Sequence, residues 1–290
     1  MEDIRKLVWG ASLNVQININ SRLLITDIDP ADITLNLRIP RNTYIVNYLK
    51  VILDELQGYM NVNIDTNEGG MFWFEYEGVQ LYWNYPLGTL YDTLTGLHPS
   101  KRAGQLLNNS RTINVWKLQL NYNKNFPMGM IPIIDGMVQV EKYWMHQWKQ
   151  VCFILNGSSK KIMSLSMKDS REFWKSIYLR NQERFESLSS KIIPVTPRHI
   201  PIIIHTTFPD ITTIHPVADF KNDITNKEVT LHELMISEIP QLFANQGGQV
   251  AQVVCNGIEV PLEMTLLALY QRLMSFDGFL HISVCLISKQ

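Results

Sequence analysis

Lys142, His146 and Lys149 stand at four- and three-residue steps, so one face of any helix that contains them carries all three. Only a deprotonated primary amine is a nucleophile, and an exposed lysine with a pKa near ~10.4 is almost all ammonium at pH 7. Chemistry at such a lysine therefore needs an outside activator, and by position alone each of them reads as a solubilising residue. The thiols offer less. Cys152, Cys255 and Cys285 are scattered and odd in number, with no C-x-x-C, so neither a disulfide framework nor a zinc site is signalled. Cys152 sits among apolar helix neighbours, which raises a thiol pKa and makes it inert.

His199, His205, His215, His232 and His281 lack the spacing of metal ligands and read as surface or hydrogen-bonded structural residues. Gly-rich phosphate loops, H-E-x-x-H and G-x-S-x-G are absent, so no catalytic residue, metal or cofactor is expected. One basic row is local: Lys160 and Lys161, then Lys168, Arg171 and Lys175 at helical spacing. These are candidate contacts to an acidic membrane surface, at up to ~1 kcal/mol each, although Asp169 and Glu172 dilute the row. Trp83, Asn84, Tyr85 and Pro86, with two aromatics in an irregular segment, and Arg198 and His199 are candidate partner contacts.

That wetter face needs a helix behind it. Val140, Trp144, Trp148, Val151 and Leu155 form one apolar stripe, and Gly157 follows as a left-handed cap. Ahead of that helix, Asp3 can cap a short helix carrying Ile4, Leu7 and Val8. Leu13 to Ile19 and Ile33 to Ile39 then alternate as the two strands of a hairpin across the Asp27-Ile28-Asp29-Pro30 turn. A helix runs from Ile45 to Met60, and strands follow over Phe72 to Tyr76, through Leu81, and over Asn114 to Tyr122, with an irregular segment around Pro86, Leu90 and Leu94. That order is the chain order of a β-grasp, with one helix across a mixed sheet.

The pattern recurs. Gly78-Val79-Gln80-Leu81 and Gly257-Ile258-Glu259-Val260 align at the same offset as Leu90-Tyr91 and Leu269-Tyr270, 179 residues (257 − 78 and 269 − 90). A new strand starts over Ile200 to Ile204, Thr230 to Glu233 is a capping box, and Val250 to Cys255 and Phe279 to Leu286 close the second sheet. Between the copies lie the Trp144 helix and a second helix capped by Ser166, carrying Phe173, Trp174, Ile177, Phe185 and Leu188. Residues 96–111 and 209–228 read as loops. The fold class expected is α+β, two ubiquitin-like β-grasp domains flanking a helix-rich one: 1–122, 123–192 and 193–290.

Twenty-six basic and 27 acidic side chains leave a net charge of −1, which removes the electrostatic footprint of a nucleic-acid binder. Met1 to Lys6 is not a secretory signal, no apolar run is long enough for a membrane helix, and the chain ends in Ser288-Lys289-Gln290, not in the exposed glycine of a ubiquitin-like donor. An acceptor or scaffold is the expectation.

The run from His146 to Lys160 with Ile162-Met163-Ser164-Leu165-Ser166, together with Pro197 to Pro201, Trp83 to Pro86, Arg41 to Tyr44 and Ser275 to Leu280, resembles the autophagy protein five family along the chain. The resemblance implies that Lys149 is the isopeptide acceptor for the C-terminal glycine of autophagy protein twelve. It also implies that the N-terminal helix of the coiled-coil autophagy protein sixteen docks between the domains. The assembly would stimulate the conjugating enzyme autophagy protein three to attach autophagy protein eight to phosphatidylethanolamine, with autophagy protein ten the other transient enzyme partner. A cytoplasmic scaffold recruited to the preautophagosomal membrane follows from the same resemblance. The residues leave two other readings: a non-covalent adaptor binding peptides and acidic membranes, and a thioester-forming enzyme using Cys152 or Cys255.

Overall fold

The computed structural model describes residues 2–25, 29, 32–62, 70–96, 114–222, 225–244 and 250–287. Most of the turn at 27–30 and of the 96–111 loop, and the last three residues, lie outside them. A first helix, α1 (Glu2–Gly10), begins ahead of Asp3. It buries Val8 and leaves Ile4 and Leu7 facing outward, so the apolar face expected of Ile4, Leu7 and Val8 is not the packed one.

The alternation over residues 13–39 becomes β1 (Ser12–Ile19) and β2 (Thr34–Pro40), paired antiparallel from Ser12 opposite Pro40 to Asn18 opposite Thr34. The helix expected over 45–60 is a single α-helical piece, α2 (Leu49–Leu56), between two 3-10 turns. After β3 (Met71–Tyr76) and β4 (Val79–Gln80) the chain folds into α3 (Leu87–Thr95), where only an irregular segment was expected. The strand β5 (Trp116–Asn123) then inserts parallel to β1 and antiparallel to β3.

The central insert opens with α4 (Gly136–Asn156), whose buried Val140, Trp144, Trp148, Val151 and Leu155 are the stripe read from sequence, and Gly157 caps it at φ 70°. A short α5 (Lys160–Met163) follows, then α6 (Met167–Tyr178), in which the Ser166 hydroxyl accepts from the Asp169 N–H. The single helix expected through Leu188 is broken: Arg180 adopts φ 52°, and α7 (Gln182–Ser189) starts anew on an Asn181 cap. The break lets both pieces turn Phe173 and Phe185 onto Trp148, at ring distances of 4.9 and 5.9 Å.

The second half contains β6 (His199–Ile200), β7 (Ile202–Thr206), β8 (Thr212–Ile214), β9 (Ala218–Asp219), α8 (Leu231–Glu238), α9 (Pro240–Phe243), β10 (Ala251–Cys255), β11 (Ile258–Glu259), α10 (Leu266–Leu273) and β12 (Leu280–Leu286). The region 209–228, expected as loop, holds β8 and β9, because β7 needs a partner on its free edge and Thr212–Ile214 supplies it. The Thr230–Glu233 capping box forms as expected. The two sheets run β2-β1-β5-β3-β4 and β8-β7-β12-β10-β11, the same order with the same parallel central pair. Both β3–β4 and β10–β11 turn through two residues at positive φ, Glu77-Gly78 and Asn256-Gly257, so the offset repeat in sequence is a repeat in space. The fold is α+β, two ubiquitin-like domains flanking a helical bundle.

The two sheets are not independent bodies. Helix α3 of the first packs on β12 of the second, with Thr93 Oγ1 2.8 Å from Ser283 Oγ. Beneath it Arg41 pairs with Asp92, both buried, and Asp92 also accepts the Gly257 N–H at 2.7 Å. Removing one partner of a buried pair leaves the other charge uncompensated, which costs about 3–5 kcal/mol. Asp92→Ala is therefore expected to lower the denaturation midpoint by several kcal/mol equivalent, measured by chemical unfolding, while an exposed control such as Glu55→Ala leaves it within about 0.5 kcal/mol.

Candidate functional site

Lys149 lies on the outward side of α4, one residue past the buried Trp148, and is half-buried. It does not stand alone on a wet face. With His146, Gln150, Phe153 and Ile154 of the same helix it lines a shallow groove of about 410 Å3, closed by His215 and Phe279 of the second ubiquitin-like domain. Phe153, at i+4 from Lys149, is 60% exposed. An exposed apolar ring thus stands beside a primary amine. Lys142 and His146 are exposed on the neighbouring turns. Phe153 was within reach of helical spacing; His215 and Phe279 come from more than 60 residues further along and are invisible to it.

The basic row is solvent-facing, with Lys160, Lys161, Lys168, Arg171 and Lys175 all exposed. Asp169 does not interrupt it outward: its carboxylate turns to Lys191 Nζ at 2.9 Å and Arg184 at 3.5 Å, and these cations hold it below the usual carboxylate range. Met163 and Met167, 63% and 74% exposed, stand between the two halves of the row.

Trp83 and Pro86 do not form the open contact surface expected from sequence. Both are buried, and the Trp83 indole donates to the Ile131 carbonyl at 2.7 Å while its ring meets Tyr44 and Tyr143 edge-on. The whole segment is junction material: Asn84 donates to Tyr143 Oη at 3.1 Å, and Tyr85 reaches Thr213 Oγ1 at 3.4 Å with its ring 4.9 Å from that of His205. Two aromatics in an irregular stretch were covering an interface between domains. Arg198 is exposed but anchored. Its backbone N–H caps the Leu155 carbonyl at 2.8 Å, and its guanidinium lies across Gly157, where a cation meets the negative end of α4. His199 pairs with Asp219 at 2.7 Å.

A cleft of about 350 Å3 opens between the two ubiquitin-like domains, lined by Tyr82, Leu90 and Leu94 of the first, His205 and Thr212 of the second, and Gly129 and Ile131 of the connector that leads into the helical bundle. Its polar wall is backed by a buried chain: Asp277 Oδ2 sits 2.8 Å from His281 Nε2, and His281 Nδ1 sits 2.9 Å from His205 Nε2. A carboxylate accepts and does not donate, so Asp277 takes the His281 Nε2–H, and His281 Nδ1 then takes the His205 Nε2–H. Burial first, then the neighbouring His281 and His215, hold His205 well below its ordinary value of 6.5.

All three thiols are buried and unoxidised. Cys152 rests 3.3 Å from the Ser158 carbonyl, and burial with the nearby Asp92 pushes the Cys255 thiol far up. Neither is placed to form a thioester with an incoming chain. Among the described residues no group of three or more His, Cys, Asp and Glu stands close enough to hold a metal ion, and no helix is long and apolar enough to cross a membrane.

Three family profiles match in succession: autophagy protein ATG5, UblA domain, over 8–122, its alpha-helical bundle region over 137–195, and its UblB domain over 199–284. The chain belongs to the autophagy protein 5 family. Autophagy protein 5 of Vanderwaltozyma polyspora is 50% identical over 289 residues, covering 99% of this chain and 97% of that one. The Saccharomyces cerevisiae S288c relative is 37% identical over 284 residues, at 98% and 96% coverage. The crystal structure of Kluyveromyces marxianus Atg5 superposes with a TM-score of 0.82 at 31% identity, covering 98% of this chain and 99% of that one. Membership of this family assigns the chain to autophagy, and the bundle profile spans both Lys149 and the basic row.

The His205 environment makes a pH prediction. A histidine held neutral in the folded state contributes stability that is fully present above its unfolded pKa of 6.5 and is lost as pH falls towards the depressed folded value. The unfolding midpoint is expected to drop below about pH 6.5, by up to about 1.4 kcal/mol per pH unit for one proton. In His205→Gln, which keeps an N–H for His281, that drop should be shallower.

Proposed function

We propose that this chain is the acceptor and scaffold of a ubiquitin-like conjugation system in autophagosome formation, modified at Lys149 by autophagy protein twelve. The observation that carries the reading is the position of Lys149: a reachable amine on a rigid helix, beside an exposed Phe153, in a groove bounded by two domains. Rigid placement limits the motion that an attacking amine must give up, and the visiting conjugating enzyme, autophagy protein ten, supplies the deprotonation. No side chain of this protein acts as a catalyst in this scheme. The burial of Cys152 and Cys255 favours it over thioester transfer by the chain itself.

The conjugate then promotes transfer of autophagy protein eight to phosphatidylethanolamine by stimulating autophagy protein three. The outward row of Lys160, Lys161, Lys168, Arg171 and Lys175, with the two exposed methionines between, suits an acidic membrane surface: charges add ~1 kcal/mol each and the thioether side chains can enter the headgroup layer. A cytoplasmic protein drawn to the preautophagosomal membrane follows. The N-terminal helix of autophagy protein sixteen is assigned to the cleft of about 350 Å3, because walls from both ubiquitin-like domains and the connector suit one face of an amphipathic helix. A purely non-covalent adaptor would use the same cleft and basic row but leave Lys149 unmodified.

Lys149→Arg keeps charge and helix propensity while removing the primary amine. On co-expression with the modifier and its enzymes, intact-mass analysis should show an adduct on the parent and none on the variant; an adduct on the variant, mapped to Lys142 or Lys160, would overturn the assignment. For the cleft, Tyr82→Ala and Thr212→Arg act from opposite domains. Calorimetric titration with the partner helix should lose at least tenfold in affinity, about 1.4 kcal/mol, for each. Retention of affinity in both would place the helix elsewhere.

A further inference from the structure

We propose that the free edge of β2 docks an extended peptide segment, aliphatic at alternate positions and acidic opposite Arg38, which adds to the first sheet as a further strand antiparallel to β2. Of the strands at the edges of the two larger sheets, β4 and β11 are two residues long and β8 three, whereas β2 runs for seven. Short edges are a common protection against strand addition, and β2 lacks it. None of its residues lines the Lys149 groove or the cleft between the ubiquitin-like domains.

The register fixes which main-chain groups are free. The Arg41 N–H donates to the Ala11 carbonyl at 3.0 Å, directly beyond the Ser12–Pro40 pair, so bonded pairs recur at every second step: Ile39 with Leu13, Leu37 with Val15, Leu35 with Ile17. Thr34, Asn36 and Arg38 therefore turn their N–H and C=O groups away from β1. The other side of β1 agrees, since the N–H of Asn20, just past the strand, reaches the Leu120 carbonyl of β5; even-numbered residues of β1 serve β5 and odd-numbered ones β2. Pro40, which has no N–H, falls on the outward set of β2. Among the described residues no backbone group bonds to the outward groups of Thr34, Asn36 and Arg38. Donors and acceptors repeated at every second residue are matched by another extended backbone.

The side chains set the rest of the chemistry. Leu35 and Leu37 are half-buried against the core on the face that β2 shares with Leu13, Val15 and Ile17 of β1, so an added strand completes their burial with an aliphatic residue opposite each. Thr34, Asn36 and Arg38 are exposed on the other face. There Asn36 Oδ1 accepts from Gln16 Nε2 at 3.3 Å, while Arg38 forms no ion pair among the described residues. Opposite charges facing one another across an antiparallel pair attract and like charges repel, which makes the residue opposite Arg38 an acidic one.

The experiment uses the full chain and the blocked hexapeptide Ac-Val-Asp-Val-Thr-Val-Thr-NH2, with hydrogen exchange at the β2 amides as the readout. In the antiparallel register its aspartate faces Arg38 and its second and third valines face Leu37 and Leu35. The Thr34, Asn36 and Arg38 amides should slow saturably with peptide, while those of Leu35 and Leu37, already bonded to β1, stay as they were. Methylating the nitrogen of the first threonine, which faces the Asn36 carbonyl, should weaken binding at least about tenfold; methylating that of the valine before it, which points away, should not. Asn36→Pro removes one outward N–H without touching the β1 ladder and should lose a similar factor. Absence of saturable slowing in the parent, equal binding of the two methylated peptides, or undiminished binding to Asn36→Pro would each overturn the proposal. Slowing of the outward amides that grows with protein concentration in the absence of peptide would assign the edge to a second copy of this chain, and overturns it as well.

Discussion

The carbonyl oxygen of Phe276 accepts both indole N–H groups of α4, from Trp144 at 2.9 Å and from Trp148 at 3.0 Å. It occupies both lone pairs of one backbone acceptor in a fully buried setting, where losing either donor would leave a polar group unsatisfied. The second ubiquitin-like domain is thereby fastened to the helix that bears Lys149. Gly278, two residues on, completes the seat: at φ 88°, with an added Cβ only 3.0 Å from Val151 and 3.2 Å from Trp148, the position admits no side chain. Asp277, between them, starts the histidine chain that runs to the cleft. One tight corner thus sets the orientation of the domain, the groove at Lys149 and the polar wall of the cleft.

A second constraint closes the other side. Arg41 and Asp92 are an ion pair taken out of water, and such a pair is seldom a gain in stability by itself; what it does is demand a particular geometry. Here that geometry includes the Gly257 N–H of the other domain and the Gly88 carbonyl, so the two sheets meet in one register only. The residues that looked like a contact surface, Trp83 to Pro86, serve the same junction from a third direction. Grooves that lie between modules keep their shape only if the modules are locked, and the buried polar network does the locking.

The helix of Lys149, the two sheets and the repeat between them were legible in the chain, because Leu13 to Ile19 alternates with period two, Val140 to Leu155 steps by three and four, and Thr230 with Glu233 can satisfy a helix start from within four residues. These are local physics: each signal is complete within one element. Where the reading from sequence departed from the fold, a distant partner had decided the outcome. Thr212–Ile214 is a strand because β7 offers it an edge, and the helix after Ser166 breaks at Arg180, where Trp9, some 170 residues earlier, donates its indole N–H to the Arg180 carbonyl and accepts the Arg180 guanidinium on its own carbonyl.

The same division holds for function. The chain by itself determined that Lys149 rides on an apolar-striped helix, that the cysteines and histidines lack catalytic or metal-binding spacing, and that a basic row follows the helix. Only the tertiary structure decided that Lys149 shares a groove with His215 and Phe279, that Trp83 is buried and not offered, and that Asp277, His281 and His205 line up behind a cleft. The reason is that a site between domains is made of contacts whose sequence separation carries no periodic signal, while hydrogen bonds between such residues are formed when the modules close on one another.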